Sequence, residues 1–117
     1  MKTLKTATGA RFQFKMHPDG EIIVYPESRG ELQDKSAIVI TPFTVDLVKQ
    51  AIRSAGRIRM GASRDNPPAD SLGALLKREK QSPQQLCYLI PILAAEDFCG
   101  CTKDGQAVVV QYKGGSR

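Results

Sequence analysis

Early in the chain, apolar and polar residues alternate. Phe12, Phe14 and Met16 are separated by Arg11, Gln13 and Lys15, and this period of two predicts a half-buried strand. Pro18-Asp19-Gly20 supplies turn chemistry, with Pro presetting φ and Gly taking the positive-φ position. Ile22 to Tyr25 then returns as a second strand, making a hairpin. Pro26 to Ser36 is polar, holds Arg29-Gly30 and predicts a loop, and Ala37 to Ile40 predicts a third short strand. Residues 1–10, rich in Lys, Thr, Ala and Gly, show no period and predict a loose start.

The period changes at Thr41-Pro42. A hydroxyl caps free amides there, and Pro suits the first helical position because its missing N–H had no partner. Phe43, Leu47, Val48, Ala51, Ile52 and Ala55 follow at helical spacing as one apolar stripe, and Gly56 is a natural stop. Arg57 to Met60 alternates as a brief strand, and Gly61 to Ala69 predicts a loop. A second helix, capped by Asp70 or Ser71, carries Leu72, Leu75 and Leu76 inward and ends in Lys77, Arg78 and Lys80, where cations suit the helix dipole. Ser82-Pro83-Gln84-Gln85 has the pattern of a capping box and predicts the start of a third helix. Leu86, Leu89, Ile90 and Leu93 are its expected buried stripe, with Ile92 left exposed. Phe98 to Thr102, Lys103-Asp104-Gly105 and Ala107 to Tyr112 predict a terminal hairpin around an Asp-Gly turn, followed by a frayed tail at 114–117.

Length and charge refine the picture. A chain of 117 residues with 41% apolar positions is the size of one domain that builds its core without staples. The net charge is +5. Residues 1–42 carry six Lys/Arg against five Asp/Glu, and residues 43–117 carry eleven against seven, so the excess sits in the helical part. A basic excess favours polyanionic partners. Met1 to Phe14 lacks the apolar run of a secretory leader. Leu86 to Ala95, broken by Pro91, is too short to span a bilayer. With three cysteines, an odd number, a cytoplasmic protein without a disulfide framework is the expectation.

From Phe43 to Lys113 the order is helix, short strand, helix, tight turn, helix, β-hairpin. This resembles the winged helix-turn-helix fold of many bacterial transcriptional regulators. The resemblance rests on Leu75 and Leu76 in the supporting helix, Ser82 opening the next, Leu86, Leu89 and Leu93 behind its face, and Lys103-Asp104-Gly105 as the wing tip. The expected class is therefore α+β: a winged helix-turn-helix at 43–113 with an N-terminal β-hairpin and strand extension at 1–42. The resemblance implies a third helix lying in the major groove of double-stranded DNA. Ser82, Gln84, Gln85 and Tyr88, on its outer side, would reach base edges, Gln being suited to bidentate pairing with adenine. Lys77, Arg78, Lys80 and Lys103 would hold phosphates. It also implies a small transcriptional regulator or an accessory to DNA processing, and by analogy a homodimer.

Plainer readings stand beside these. Gln84, Gln85 and Tyr88 also fit a solvated helix face, the Lys77/Arg78/Lys80 cluster also fits dipole decoration, and Arg53, Arg57, Arg59 and Arg64 read as solvated surface. The third helix carries no Lys or Arg, ends in Glu96-Asp97 and contains Pro91, which removes a bond to the Cys87 carbonyl. These features, with Ile92 and the N-terminal hairpin, favour an alternative: a winged-helix protein-interaction module that binds no nucleic acid. Cys87, Cys99 and Cys101 read as buried or half-buried free thiols. The single histidine, His17, lies in a remote turn, so neither a metal site, a cofactor nor a catalytic constellation is expected.

Overall fold

The alternation at Phe12, Phe14 and Met16 does form a strand, and it lies within a sheet larger than a hairpin. The computed structural model of the chain describes residues 2–6, 9–28, 31–32, 37–61, 69–104 and 107–113. Strands β1 (Lys2–Lys5), β2 (Arg11–Met16), β3 (Ile22–Ser28), β4 (Glu31–Leu32) and β5 (Ile38–Ile40) form one antiparallel sheet. β1, β2 and β3 are sequential neighbours, and β4 and β5 both pair with the far edge of β3. Gly20, at φ 96, closes the β2–β3 turn by donating to the His17 carbonyl at 2.9 Å, and the Asp19 carboxylate accepts the Glu21 N–H at 2.9 Å.

The register places Leu4, Phe12, Phe14, Ile22, Val24, Ile38 and Ile40 on one face, because Leu4 opposes Phe12, Phe14 opposes Val24, and Ile22 opposes Ile40. That face is buried against the helices. α1 (Pro42–Ala55) is capped by Thr41, whose hydroxyl accepts the Thr44 N–H at 3.3 Å, and ends at Gly56 with φ 73. After β6 (Arg57–Arg59) come α2 (Leu72–Arg78), a 3-10 turn at Pro83–Gln85, α3 (Leu86–Ala95), β7 (Cys99–Asp104) and β8 (Ala107–Tyr112). β6, β8 and β7 make a second antiparallel sheet in that spatial order, with Ile58 opposite Val110 and Val110 opposite Cys101.

The chain is thus a mixed α+β protein. Phe12, Phe14, Ile22, Val24 and Ile40 from the first sheet, Val48 and Ile52 from α1, Leu72 and Leu76 from α2, and Leu86 to Leu93 from α3 join one hydrophobic cluster. No helix among the described residues is long and apolar enough to cross a membrane.

Several expectations change. The loose start contains β1, because its backbone completes the edge of β2. The predicted polar loop after Tyr25 contains the end of β3 and β4, and residues 29–30 and 33–36 lie outside the described residues. So do 62–68 of the next predicted loop, residues 105–106 at the Asp-Gly tip, and the tail at 114–117. Phe43, placed in the apolar stripe of α1, is 54% exposed, and Ala55 is exposed too, since the stripe narrows to Thr44, Val48 and Ile52. Ile92, expected to be exposed, is buried at 1%.

Candidate nucleic-acid interface

α2 starts where Ser71 accepts the Ala74 N–H at 3.2 Å, and it turns Leu72 and Leu76 into the core. Its end is built by two backbone bonds. Gln81 donates to the Leu76 carbonyl at 2.8 Å, and Lys80 donates to the Lys77 carbonyl at 3.1 Å. This is a Schellman closure, which needs a left-handed residue at its first non-helical step. Lys80 takes that place with φ 60. The last turn of α2 therefore leaves Lys77, Arg78 and Lys80 exposed at one corner.

Ser82 follows directly. Its hydroxyl accepts the Gln84 N–H at 3.3 Å, and Pro83 is buried, so Ser82 and Gln84 stay exposed next to the three cations. The capping box is only half formed, because the first turn is 3-10 and the reciprocal bond from Gln85 is missing. Instead the Gln85 Oε1 is enclosed without a hydrogen-bond partner among the described residues. An orphaned amide oxygen of this kind costs about 1–3 kcal/mol.

α3 is unlike its predecessor. From Leu86 to Ala95 it holds no charged side chain, and Leu86, Leu89, Ile90, Ile92 and Leu93 are all buried. A helix that is apolar on every side belongs in an interior. The first sheet covers the side facing away from the leucine stripe. Tyr88, expected on the solvent side, is half-buried with its ring edge-on to Phe12, at 5.2 Å between centroids and 81° between planes. Burial, and next the Cys87 thiol, push the Tyr88 hydroxyl above its ordinary pKa. Gln85 and Tyr88, both expected on the solvent side, are half-buried. The corner keeps Ser82 and Gln84 with Lys77, Arg78 and Lys80, while Lys103 is exposed on β7, near the outer end of the second hairpin.

The chain matches no family model, no curated protein and no solved structure.

Other chemistry is sparse. No group of three or more His, Cys, Asp or Glu among the described residues comes together to hold a metal ion. Cys87 is a half-buried free thiol and Cys99 a buried one, but Cys101 is exposed, which corrects the expectation that all three are shielded. Burial pushes the Cys99 thiol up to about 12, reinforced by Cys101 and opposed by Lys113. The cover over α3 had a signal in the sequence: ten residues without a charge need partners all round, and the apolar face of β2 and β3 needs a surface to lie on.

Proposed function

We propose that this chain is a nucleic-acid-binding protein of winged-helix type, holding the phosphate backbone of a duplex at the α2–α3 corner without sinking α3 into the major groove. The observation that carries it is the corner itself, where Lys77, Arg78 and Lys80 stand exposed beside Ser82 and Gln84. The succession α1, β6, α2, α3, β7, β8 with strand order β6–β8–β7 supports the winged-helix part of the reading. Lys103 extends the positive surface along the hairpin. With α3 buried, such contact reads the shape of the backbone and carries little base information. A regulator or DNA-processing accessory working this way relies on a partner or a second copy for sequence choice.

The test is a titration of a mixed-sequence duplex across salt. Four phosphate contacts give a slope of about −3.6 in log affinity against log salt, so binding weakens roughly 150-fold between 50 and 200 mM. Replacing Lys77, Arg78 and Lys80 together with Ala lowers the slope by about 2.7.

A second reading, a protein-interaction module, is favoured by a groove of about 360 Å³ between β1 and α3, lined by Leu4, Phe14, Met16 and Ile92, with Met16 51% exposed at its mouth. Absence of duplex binding by the wild type at 50 mM salt selects that reading.

A further inference from the structure

The arginines after α1 look like scattered surface in the sequence, and the fold sorts them. Arg53 lies over the ring of Phe98, 5.9 Å from its centroid, beside Lys49 at 5.3 Å. Arg57 and Arg59 do something else. They flank Ile58 on β6, so both point to the outer face of the second sheet, and both are exposed. Neither forms an ion pair with a described residue, although Asp70 lines the same cleft.

The register extends this face across the sheet. Arg57 opposes Gln111, which opposes Gly100; Arg59 opposes Val109, which opposes Thr102. Lys113 shares the face, since a Cβ built on Gly100 would come within 3.0 Å of the Lys113 Cε. The lysine stem therefore passes directly over Gly100. Thr102, Gln111 and Lys113 are also exposed. The sheet thus carries three cations, an amide and a hydroxyl on one surface, around Val109, which is buried between Arg59 and Thr102. Tyr112 alternates to the other side, with its ring 5.3 Å from that of Phe98.

We infer that the outer face of the β6–β8–β7 sheet is a second nucleic-acid contact, holding one sugar–phosphate strand along β6 without reading its bases. Charge selects the class of partner. Spacing selects the form. Arg57 and Arg59 sit two residues apart on a strand, roughly 7 Å from one another, which is close to the step between consecutive phosphates of one nucleic-acid strand. Gln111 and Thr102 supply neutral donors for phosphate oxygens or sugar hydroxyls, and among the described residues this face carries no aromatic ring to stack a base. The inference shares with the proposed function only the class of partner, and it uses a different surface.

The experiment measures binding of the full chain to a labelled mixed-sequence oligonucleotide, single-stranded and as duplex, between 50 and 200 mM salt. Four proteins are compared: wild type, Arg57→Ala/Arg59→Ala, Arg57→Lys/Arg59→Lys, and Lys77→Ala/Arg78→Ala/Lys80→Ala. Thermal melting shows that each is folded. The expected result is that the double alanine variant weakens binding equally for unrelated sequences and lowers the salt slope by about 1.4 on single strands or 1.8 on duplex. The double lysine variant keeps the wild-type slope. If the alanine pair binds as wild type while the corner triple loses binding, the sheet surface is refuted and the corner stands. If the pair loses binding and the triple does not, the sheet surface stands and the corner falls. A wild type that binds neither probe at 50 mM overturns both.

Discussion

Helices α2 and α3 lie on either side of a short turn and end in the same way, yet one ends in exposed cations and the other buries half of its side chains and carries no charge. In α3 the Phe98 N–H bonds to the Leu93 carbonyl at 3.0 Å and the Asp97 N–H to the Ala94 carbonyl at 3.0 Å, matching the pair at the end of α2. Asp97, with φ 61, takes the place that Lys80 takes there. The backbone logic is shared and the side chains differ. α2 buries Leu72 and Leu76 and gives its last turn to Lys77 and Arg78; α3 leaves Cys87, Pro91 and Ala94 half-buried and Ala95 exposed, and none of these is charged. Order along the chain therefore does not decide which side a helix leaves open. Composition does, and here the first sheet packs against the uncharged helix through Phe12 and Tyr88.

This contrast is open to attack at several points. The largest effect is expected inside α3. Leu89→Ala removes a fully buried side chain and should cost about 2–5 kcal/mol in urea unfolding, whereas Arg78→Ala on α2 should stay within about 0.5 kcal/mol. A small loss for Leu89→Ala would mean α3 is not packed from both sides. Next comes the cover itself. A double-mutant cycle of Phe12→Leu and Tyr88→Leu should give a coupling of about 0.5–1.5 kcal/mol for the edge-on pair, and a value near zero would separate the sheet from α3.

The two helix ends sharpen the comparison further. Lys80→Gly and Asp97→Gly each relieve a left-handed non-glycine residue and should raise stability by about 0.5–1 kcal/mol. At Lys80 the same change should weaken duplex binding, so stability and affinity move in opposite directions. Asp97→Gly should not weaken binding. An effect confined to alkaline pH concerns Cys99. Its folded thiol titrates at about 12 against an ordinary 9.0, so the folded state holds its proton where the unfolded chain has lost it. Stability is intact below pH 9.0 and falls as pH rises from there towards about 12. In native protein at neutral pH, alkylation should reach exposed Cys101 before buried Cys99, as peptide mass mapping would show.

Much of the layout was legible in the residues. The alternation at 11–16, the turn at Pro18-Asp19-Gly20, the caps at Thr41 and Ser71 and the alternation at Arg57 to Arg59 each produced the element expected. These signals are local, set by period and by hydroxyls placed ahead of apolar runs. What stayed hidden was non-local or lacked its usual residue. β1 carries no apolar alternation and is held by backbone pairing to β2, which side-chain pattern does not report. Both Schellman closures lack the glycine that advertises them. The capping-box letters at Ser82 to Gln85 were right, but tertiary packing made the turn 3-10 and enclosed the Gln85 oxygen. For the candidate site, the cations at 77, 78 and 80 could be placed from sequence, whereas the covering of Tyr88 by Phe12 joins positions 76 residues apart, roughly the whole length between the two halves of the core.

The most direct measurement is an amide chemical-shift titration of the full chain with a short duplex at 50 mM salt. Contact from the corner without insertion predicts that the amides of Lys77 to Gln84 shift while those of Leu89 to Leu93 stay in place. Shifts running along Cys87 to Ala94, with release of Tyr88 from Phe12, would contradict it.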